Sequence, residues 1–242
     1  MNQIQDRQRP TTAGVEVSKA VERTARIFTR LGTPFVVRAT ITPETMNAQT
    51  SIVRYIRQCL GARIIRFEPV YQAGGNPKTS FAPEDAKFFA RYFQSAQEIA
   101  NQLGCKLDLS GVRPEEIHGP YCNILRDVLQ LTPDAGIAGC FLDTNRHDAM
   151  GKGMGKGMFL GQVAMGSAPP FMNMNCIAQL RRSAMRIPTK CWSCVNIYHC
   201  VRECPEGCLI SGEWTGSPNL AGFRCQLYQH LTEDWIYQSC SV

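Results

Sequence analysis

Cysteine is the residue type that most constrains the fold of this chain. The sequence of 242 residues contains twelve cysteines, two of them before residue 120 and ten after it. The N-terminus, MNQIQDRQRP, has no apolar signal core, which predicts a cytoplasmic protein. Because the cytosol keeps thiols reduced, clustered cysteines there bind metal more often than they form disulfides. We therefore expect an ordinary α/β front half and a back half that is held together by metal.

The strongest motif is Cys191-x2-Cys194-x5-Cys200-x3-Cys204, which is followed after a gap by Cys225. Two cysteines separated by two residues can bring both thiolates to one metal centre from a single tight turn. Thiolates bind iron–sulfur clusters and zinc alike. The spacing therefore predicts a metal centre and leaves the choice of metal open.

A second element precedes this motif. Cys122 and Cys140 flank a segment that contains Pro133-Asp134, a pair typical of turns. The runs 123–131 and 136–142 on either side have the character of strands. The sequence thus predicts a hairpin that brings Cys122 and Cys140 near each other.

The first hundred residues alternate between helical and extended patterns. The predicted helices end at Gly32, Gly61 and Gly104, and the predicted elements are helices over 17–31, 52–60 and 89–103 and strands over 34–41 and 63–69. This alternation implies a parallel sheet with crossover helices. Two or three strands cannot close a barrel, so we expect this half to belong to a larger α/β unit or to be completed by a partner.

The later part of the chain has two more helical patterns, over 171–186 and 223–238, with short turns between the cysteines beyond Thr189. Cys59 lies on the apolar face of a predicted helix and is expected to be a buried thiol. Trp192 and Tyr198 are expected to shield a metal cluster from water.

Composition excludes two classes of partner. The formal charge of +6 comes from basic residues scattered among acidic ones, and no basic run predicts a nucleic-acid partner. No stretch reaches the roughly 18–20 apolar residues that cross a membrane, so no membrane partner is predicted.

The order of the cysteines resembles the SPASM domain, which is found at the C-terminus of many radical S-adenosylmethionine (SAM) peptide-modifying enzymes. That pattern is a Cys, a hairpin with a Gly shortly before a second Cys, a Cys-x2-Cys-x5-Cys-x3-Cys run and a last Cys. This chain has Ala135 where the family usually has Gly, with Gly136 beside it. The front half is also similar to these enzymes: residues 6–42 resemble the segment from the fourth barrel strand into the fifth, and 63–69 the sixth strand.

The resemblance implies an α/β fold with two domains. Residues 1–105 would form the C-terminal part of a radical SAM TIM-type barrel, and residues 106–242 a small α+β SPASM domain that carries auxiliary clusters. The family binds its catalytic cluster with Cys-x3-Cys-x2-Cys, and no three cysteines here have that spacing. The resemblance therefore implies an N-terminally truncated chain that begins after the first four strands, whether as a fragment, a split gene or the product of a misplaced start codon.

The resemblance also implies the metal ligands. One auxiliary [4Fe–4S] cluster would use Cys191, Cys194, Cys200 and Cys225, which we call the loop–helix site. The other would use Cys122, Cys140 and Cys204, which we call the hairpin site. The fourth position of the hairpin site is either open to substrate or closed by another cysteine, and the candidates are Cys208, Cys105 and Cys176.

The activity implied is that of a radical SAM oxidoreductase that modifies a peptide or protein substrate. SAM and its own [4Fe–4S] cluster would be bound only in a full-length protein, and the electron donor would be a flavodoxin or ferredoxin. In the sulfatase-maturing branch an Asp general base follows the second hairpin cysteine, whereas this chain has Phe141, with Asp143 as the nearest acid. That departure favours another peptide modification, such as crosslinking or epimerisation.

Two other functions are consistent with the cysteines. The chain could be a stand-alone iron–sulfur subunit that transfers electrons or binds substrate, or a structural zinc protein.

Four polar residues on the predicted strands are candidates to line the barrel and touch SAM or peptide: Arg38, Thr40, Arg66 and Glu68. Alternation places Arg38 and Thr40 on one face of their strand, and Arg66 and Glu68 on one face of theirs. The alternative interpretation is a structural ion pair.

Overall fold

The computed structural model describes residues 2–240 apart from 13, 15, 71–80, 114–115, 118, 120–122, 127, 129, 141–157, 164–168, 188 and 202–219. The chain divides into two compact units, with the boundary between Ser110 and Gly111. Within the described ranges, no helix is both long enough and apolar enough to cross a membrane.

The first unit is built on a parallel sheet of three strands in the order β1-β2-β3. The strands are β1 (Val36–Ile41), β2 (Ile64–Pro69) and β3 (Lys106–Leu109). β1 and β2 confirm the predicted strands to within two residues at each end. The sequence analysis did not predict β3, because its four residues, Lys-Leu-Asp-Leu, are too few for a clear alternation.

Four helices belong to this unit: α1 (Asn2–Gln8), α2 (Val17–Arg30), α3 (Gln49–Tyr55) and α4 (Asp85–Gln102). A 3-10 turn over Pro43–Ala48 leads into α3, and a π-helical turn over Ile56–Leu60 follows it. The predicted ends at Gly32, Gly61 and Gly104 are confirmed. α1 was not predicted.

Apolar side chains on one face of the sheet form the core of the first unit. Ile65 and Phe67 of β2 are fully buried, and the Phe67 ring lies edge-on to Phe93 of α4, with centroids 6.2 Å apart. α3 also packs on α4. Burying this apolar face against the helices leaves the polar residues of the strands on the opposite face, which the alternation of a strand requires.

The second unit contains an antiparallel sheet in the order β4-β5-β6-β7. The strands are β4 (Gln130–Leu131), β5 (Gly136–Ala138), β6 (Phe159–Gln162) and β7 (Phe171–Met172). β4 and β5 confirm the predicted hairpin and its turn at Pro133-Asp134. The paired strands are shorter than predicted, because Asn123–Leu125 forms a 3-10 turn instead.

The described residues of the second unit also form two helices, α5 (Met174–Met185) and α6 (Leu220–Cys240). α6 confirms the last predicted helix. The helix predicted over 171–186 is wrong at its start, since Phe171–Met172 pairs with β6. Asn173 ends that pairing by accepting a hydrogen bond from the Cys176 backbone N–H at 3.0 Å, so the helix begins only after it.

The core of this unit lies between the sheet, the 3-10 turn and α5. Its buried members are Ile124, Ile137, Met158, Leu160, Ile177, Leu180 and Ala184. Arg181 of α5 fixes the turn in place, since its Nε donates to the carbonyl oxygen of Ile124 at 2.9 Å.

Candidate metal centre

Tight turns shape the segment Cys191–Cys200, which we call the cysteine loop. The backbone N–H of Cys194 donates to the carbonyl oxygen of Cys191 at 3.1 Å. Further along, the N–H groups of His199 and Cys200 both donate to the carbonyl oxygen of Asn196 at 2.9 Å. These turns hold Cys191 and Cys194 on one short bend, as the two-residue spacing predicts.

The end of the cysteine loop is anchored to the first residues of the second unit. Val112 and Cys200 form an antiparallel bridge. On either side of it, Arg113 N donates to His199 O at 3.2 Å and Val201 N donates to Gly111 O at 3.0 Å. The backbone of Cys200 is therefore fixed by a segment far away in sequence.

α6 anchors the middle of the cysteine loop through two side chains. Gln229 Nε2 donates to Cys194 Sγ at 3.6 Å, and Thr232 Oγ1 donates to Asn196 Oδ1 at 2.5 Å. Cys225 lies four residues before Gln229 on the same helix, and residues at that spacing share a helix face. The contact of Gln229 with Cys194 thus brings the face that carries Cys225 to the cysteine loop.

The donor set of the loop–helix site fits an iron–sulfur cluster. Cys191, Cys194, Cys200 and Cys225 are half-buried thiols and not halves of disulfides. Asn196 Nδ2 is buried beside them and has no acceptor among the described residues, and the sulfur of a cluster would supply one. Thiolates around a cluster bind different irons, so they stand further apart than those around one zinc ion.

In the part of the chain that the structure describes, no three His, Cys, Asp or Glu side chains are grouped so that they could hold a metal ion. The four-cysteine ligand set of the loop–helix site therefore stays a prediction.

Less of the hairpin site lies within the described residues. Cys140 lies two residues after the end of β5, is half-buried and packs against the core of the second unit. Cys122, Cys204 and Cys208 lie outside the described residues, as do Phe141 and Asp143. The ligand set of the hairpin site thus stays a prediction.

Two of the candidates for a fourth ligand are described. Cys176 on α5 packs against the same core as Cys140. Cys105 belongs to the first unit, where it is buried and its Sγ donates to Ala100 O at 3.5 Å. Burial raises the pKa of both thiols, which favours the protonated form in the absence of metal.

The structure corrects three expectations about single side chains. Trp192 and Tyr198 keep 64% and 57% of their surface exposed, so they do not close the cysteine loop off from solvent. Cys59 is exposed, not buried. Cys59 lies in the π-helical turn over Ile56–Leu60. The extra residue in such a turn rotates the Cys59 side chain away from the apolar helix face that a 3.6-residue period predicts.

Polar residues occupy the face of the parallel sheet opposite the buried Ile65 and Phe67 in the first unit. The register pairs Arg38 with Arg66 and Thr40 with Glu68, so all four predicted residues share that face. Arg38 donates to Glu68 at 2.8 Å, which confirms the ion pair of the alternative interpretation. β3 adds Asp108 to the same face, opposite Arg66.

Sequence reasoning missed Asn196 and Gln229. Asn196 lies between two predicted ligands but belongs to no motif. Gln229 follows Cys225 by one turn of a helix that the sequence predicts. Its place on the same helix face as a predicted ligand is the signal that indicates it.

Solved structures of one enzyme are similar to this chain. The structure "Native anSMEcpe with bound AdoMet", an anaerobic sulfatase-maturating enzyme with bound SAM, matches 100% of this chain and 66% of its own, with a TM-score of 0.62 and 15% sequence identity. The same enzyme "with bound AdoMet and Cp18Cys peptide" gives a TM-score of 0.61 at 14% identity, covering 100% of this chain and 68% of its own. No protein-family model and no curated protein matches. At this identity the likeness shows the fold, which is that of a radical SAM enzyme.

Proposed function

We propose that this chain corresponds to the C-terminal part of a radical SAM peptide- or protein-modifying oxidoreductase and binds two auxiliary [4Fe–4S] clusters. The fold supports the family, and the chain spans 66% of the length of the first enzyme it matches. One observation carries the proposal at the level of residues. Gln229 contacts Cys194 from the helix face that also holds Cys225, which supports the proposal that cysteines distant in sequence bind one cluster.

In this proposal the loop–helix site holds one cluster through Cys191, Cys194, Cys200 and Cys225. The bridge to Val112 fixes Cys200, and the contact of α6 with the cysteine loop fixes the approach of Cys225. These contacts restrict the positions of Cys194 and Cys200 before metal binds, which supports a site for one cluster type.

The hairpin site holds the second cluster through Cys122, Cys140 and Cys204. Its fourth position is open to substrate or closed by another cysteine. Among the described candidates Cys176 has the better support, because it packs on the same core as Cys140. When bound, the two clusters supply one-electron chemistry, either anchoring the substrate or accepting the electron left after hydrogen abstraction.

The substrate is a peptide or protein, and the electron donor is a flavodoxin or ferredoxin in the cytoplasm. The support for a peptide substrate is that a similar enzyme has been solved with a bound peptide. The polar face of the parallel sheet supplies side chains of both charges, Arg38 and Glu68 among them. In the full-length protein this face lines the barrel and contacts SAM or the substrate.

Anaerobic reconstitution of the chain with iron and sulfide tests the proposal. We expect a brown protein with about eight irons, as two [4Fe–4S] clusters require. Cys194→Ala and Cys225→Ala should each lose about half of the iron. Cys59→Ala and Cys240→Ala, which change exposed thiols, are matched controls that should keep all of it.

A colourless protein with about two zinc ions would instead support the structural zinc protein. Retention of all iron in both Cys194→Ala and Cys225→Ala would refute the loop–helix site, even if the protein is brown.

A further inference from the structure

Two side-chain amides point to a function that the cysteines alone do not explain. The first is Gln229, whose Nε2 donates to Cys194 Sγ at 3.6 Å. An amide N–H at this distance from sulfur is a hydrogen-bond donor to it. Gln229 is placed by α6, on the same face as Cys225, so the donor and a proposed ligand move as one rigid element.

The second amide is Asn196, which is 2% exposed. Its Oδ1 accepts a hydrogen bond from Thr232 Oγ1 at 2.5 Å, and Thr232 is itself 2% exposed. This bond fixes the amide group, so the direction of Nδ2 is set as well.

Asn196 Nδ2 is buried and has no acceptor among the described residues. Leaving such a donor unpaired costs about 1–3 kcal/mol, and buried donors in native proteins have partners. Asn196 lies in the cysteine loop, two residues after Cys194 and four before Cys200. The sulfurs of a cluster bound by these cysteines would supply the acceptor.

We infer that Asn196 and Gln229 are positioning residues that donate hydrogen bonds to sulfur atoms of the cluster at the loop–helix site and raise its reduction potential. The inference rests on the proposed function, since it needs the cluster. Reduction adds an electron and makes the sulfurs more negative, so an N–H dipole aimed at them stabilises the reduced form more than the oxidised one. The two amides thereby set the driving force for electron transfer to this cluster.

The test is a redox titration of the anaerobically reconstituted chain, followed by electron paramagnetic resonance. Gln229→Leu removes one donor. Asn196→Leu combined with Thr232→Val removes the other while replacing both hydrogen-bonded partners with apolar groups, a change that can be nearly neutral for stability. For each, we expect about a tenfold lower ratio of reduced to oxidised cluster at a fixed potential, which corresponds to about 59 mV for one electron.

Two references accompany the titration. Gln226→Leu changes an exposed glutamine on the same helix and should leave the potential unchanged. The cluster at the hairpin site, whose proposed ligands are other cysteines, is the internal reference in every sample.

The outcomes separate the two claims. A chain that binds no iron refutes the proposed function, and the inference fails with it. A chain with full iron content whose potential is the same in both donor variants refutes the inference alone. An equal shift in the Gln226→Leu control would also overturn it, because loss of packing would then explain the change.

Discussion

At the scale of single residues, the turn of the β4–β5 hairpin holds a strained alanine. Ala135 has φ 61°, and it is the one non-glycine residue with positive φ in the described ranges. It occupies the position where the SPASM pattern has glycine. A side chain in this left-handed conformation costs about 1 kcal/mol relative to glycine. Glycine, which has no Cβ, adopts this conformation without that cost.

Ala135→Gly should stabilise the protein by about 1 kcal/mol, because it relieves this backbone strain. The measurement is the free energy of unfolding from a urea titration. Gly136→Ala in the same turn is the opposite case. Its Cβ would lie 2.6 Å from Thr132 Oγ1 and 2.7 Å from Phe159 Cε2, so we expect a loss of stability. A gain from both variants would contradict this account of the turn.

Helix packing in the second unit depends on Gly111, which has no side chain beyond Cα. Tyr228 of α6 is fully buried, and a Cβ at Gly111 would lie 1.9 Å from its Oη. Gly111→Ala should therefore destabilise the protein by about 3 kcal/mol through overpacking and a positive φ together. Gly104→Ala has a positive φ but nothing within 4 Å, so it should lose only about 1 kcal/mol. Calorimetry of the two variants separates steric overlap from backbone strain, and equal losses would disprove the overlap.

At the scale of elements, one hydrogen-bonded group joins three helices of the first unit. Tyr55 Oη lies 2.6 Å from Glu22 Oε1 and 2.8 Å from Asn2 Oδ1. The hydrogen bond from Tyr55 lowers the pKa of Glu22 below its ordinary 4.5. Burial and the Glu22 carboxylate raise the pKa of Tyr55 above its ordinary 10.0. The group is thus most stable with Glu22 charged and Tyr55 neutral.

The pH dependence follows from these directions. Because folding lowers the pKa of Glu22, the stabilisation is complete above pH 4.5 and is lost as the pH falls below that value. Tyr55→Phe should lose about 1.5–3 kcal/mol at neutral pH, the usual worth of a hydrogen bond to a charged group. The difference from the wild type should shrink in acid.

Urea titrations at neutral and acid pH measure this difference. Tyr92→Phe, a half-buried tyrosine on α4, is the control and should show no such trend. A Tyr55→Phe loss that stays constant down to acid pH would show that Glu22 is not the partner that matters.

How far the sequence predicts the elements depends on their length. α2, α3 and α4 each carry an apolar stripe over two or more turns and end near a glycine, so their patterns could be read directly. β3, β6 and β7 have two to four residues each, too few for a period to show. Their existence depends on partners distant in sequence, such as Ile64 opposite Lys106.

The residues of the candidate site also differ in how far the sequence predicts them. The close spacing of Cys191, Cys194 and Cys200 marks them as candidate ligands, because the cysteines of such a motif lie within one short segment. Asn196 and Gln229 gain their roles only when α6 packs on the cysteine loop, which is a long-range event with no local signature.

At the scale of the whole molecule, the sequence contains the proposed auxiliary-cluster ligands but no Cys-x3-Cys-x2-Cys motif. Reductive cleavage of SAM needs the cluster that this motif binds. The reconstituted chain with SAM and dithionite should therefore produce no 5′-deoxyadenosine by chromatography. A radical SAM enzyme that has its motif is the positive control. Formation of 5′-deoxyadenosine by this chain alone would show that it binds a catalytic cluster in another way.

The anchoring of the cysteine loop has a consequence for how the protein is made. The loop is held at one side by the bridge to Val112 and at the other by α6, which runs to Cys240. Cys191, Cys194 and Cys200 are synthesised before α6, so the loop gains its second anchor only after the helix has been made and has packed against it. At the proposed loop–helix site, the cluster would therefore be bound only after Cys225 and α6 have been synthesised.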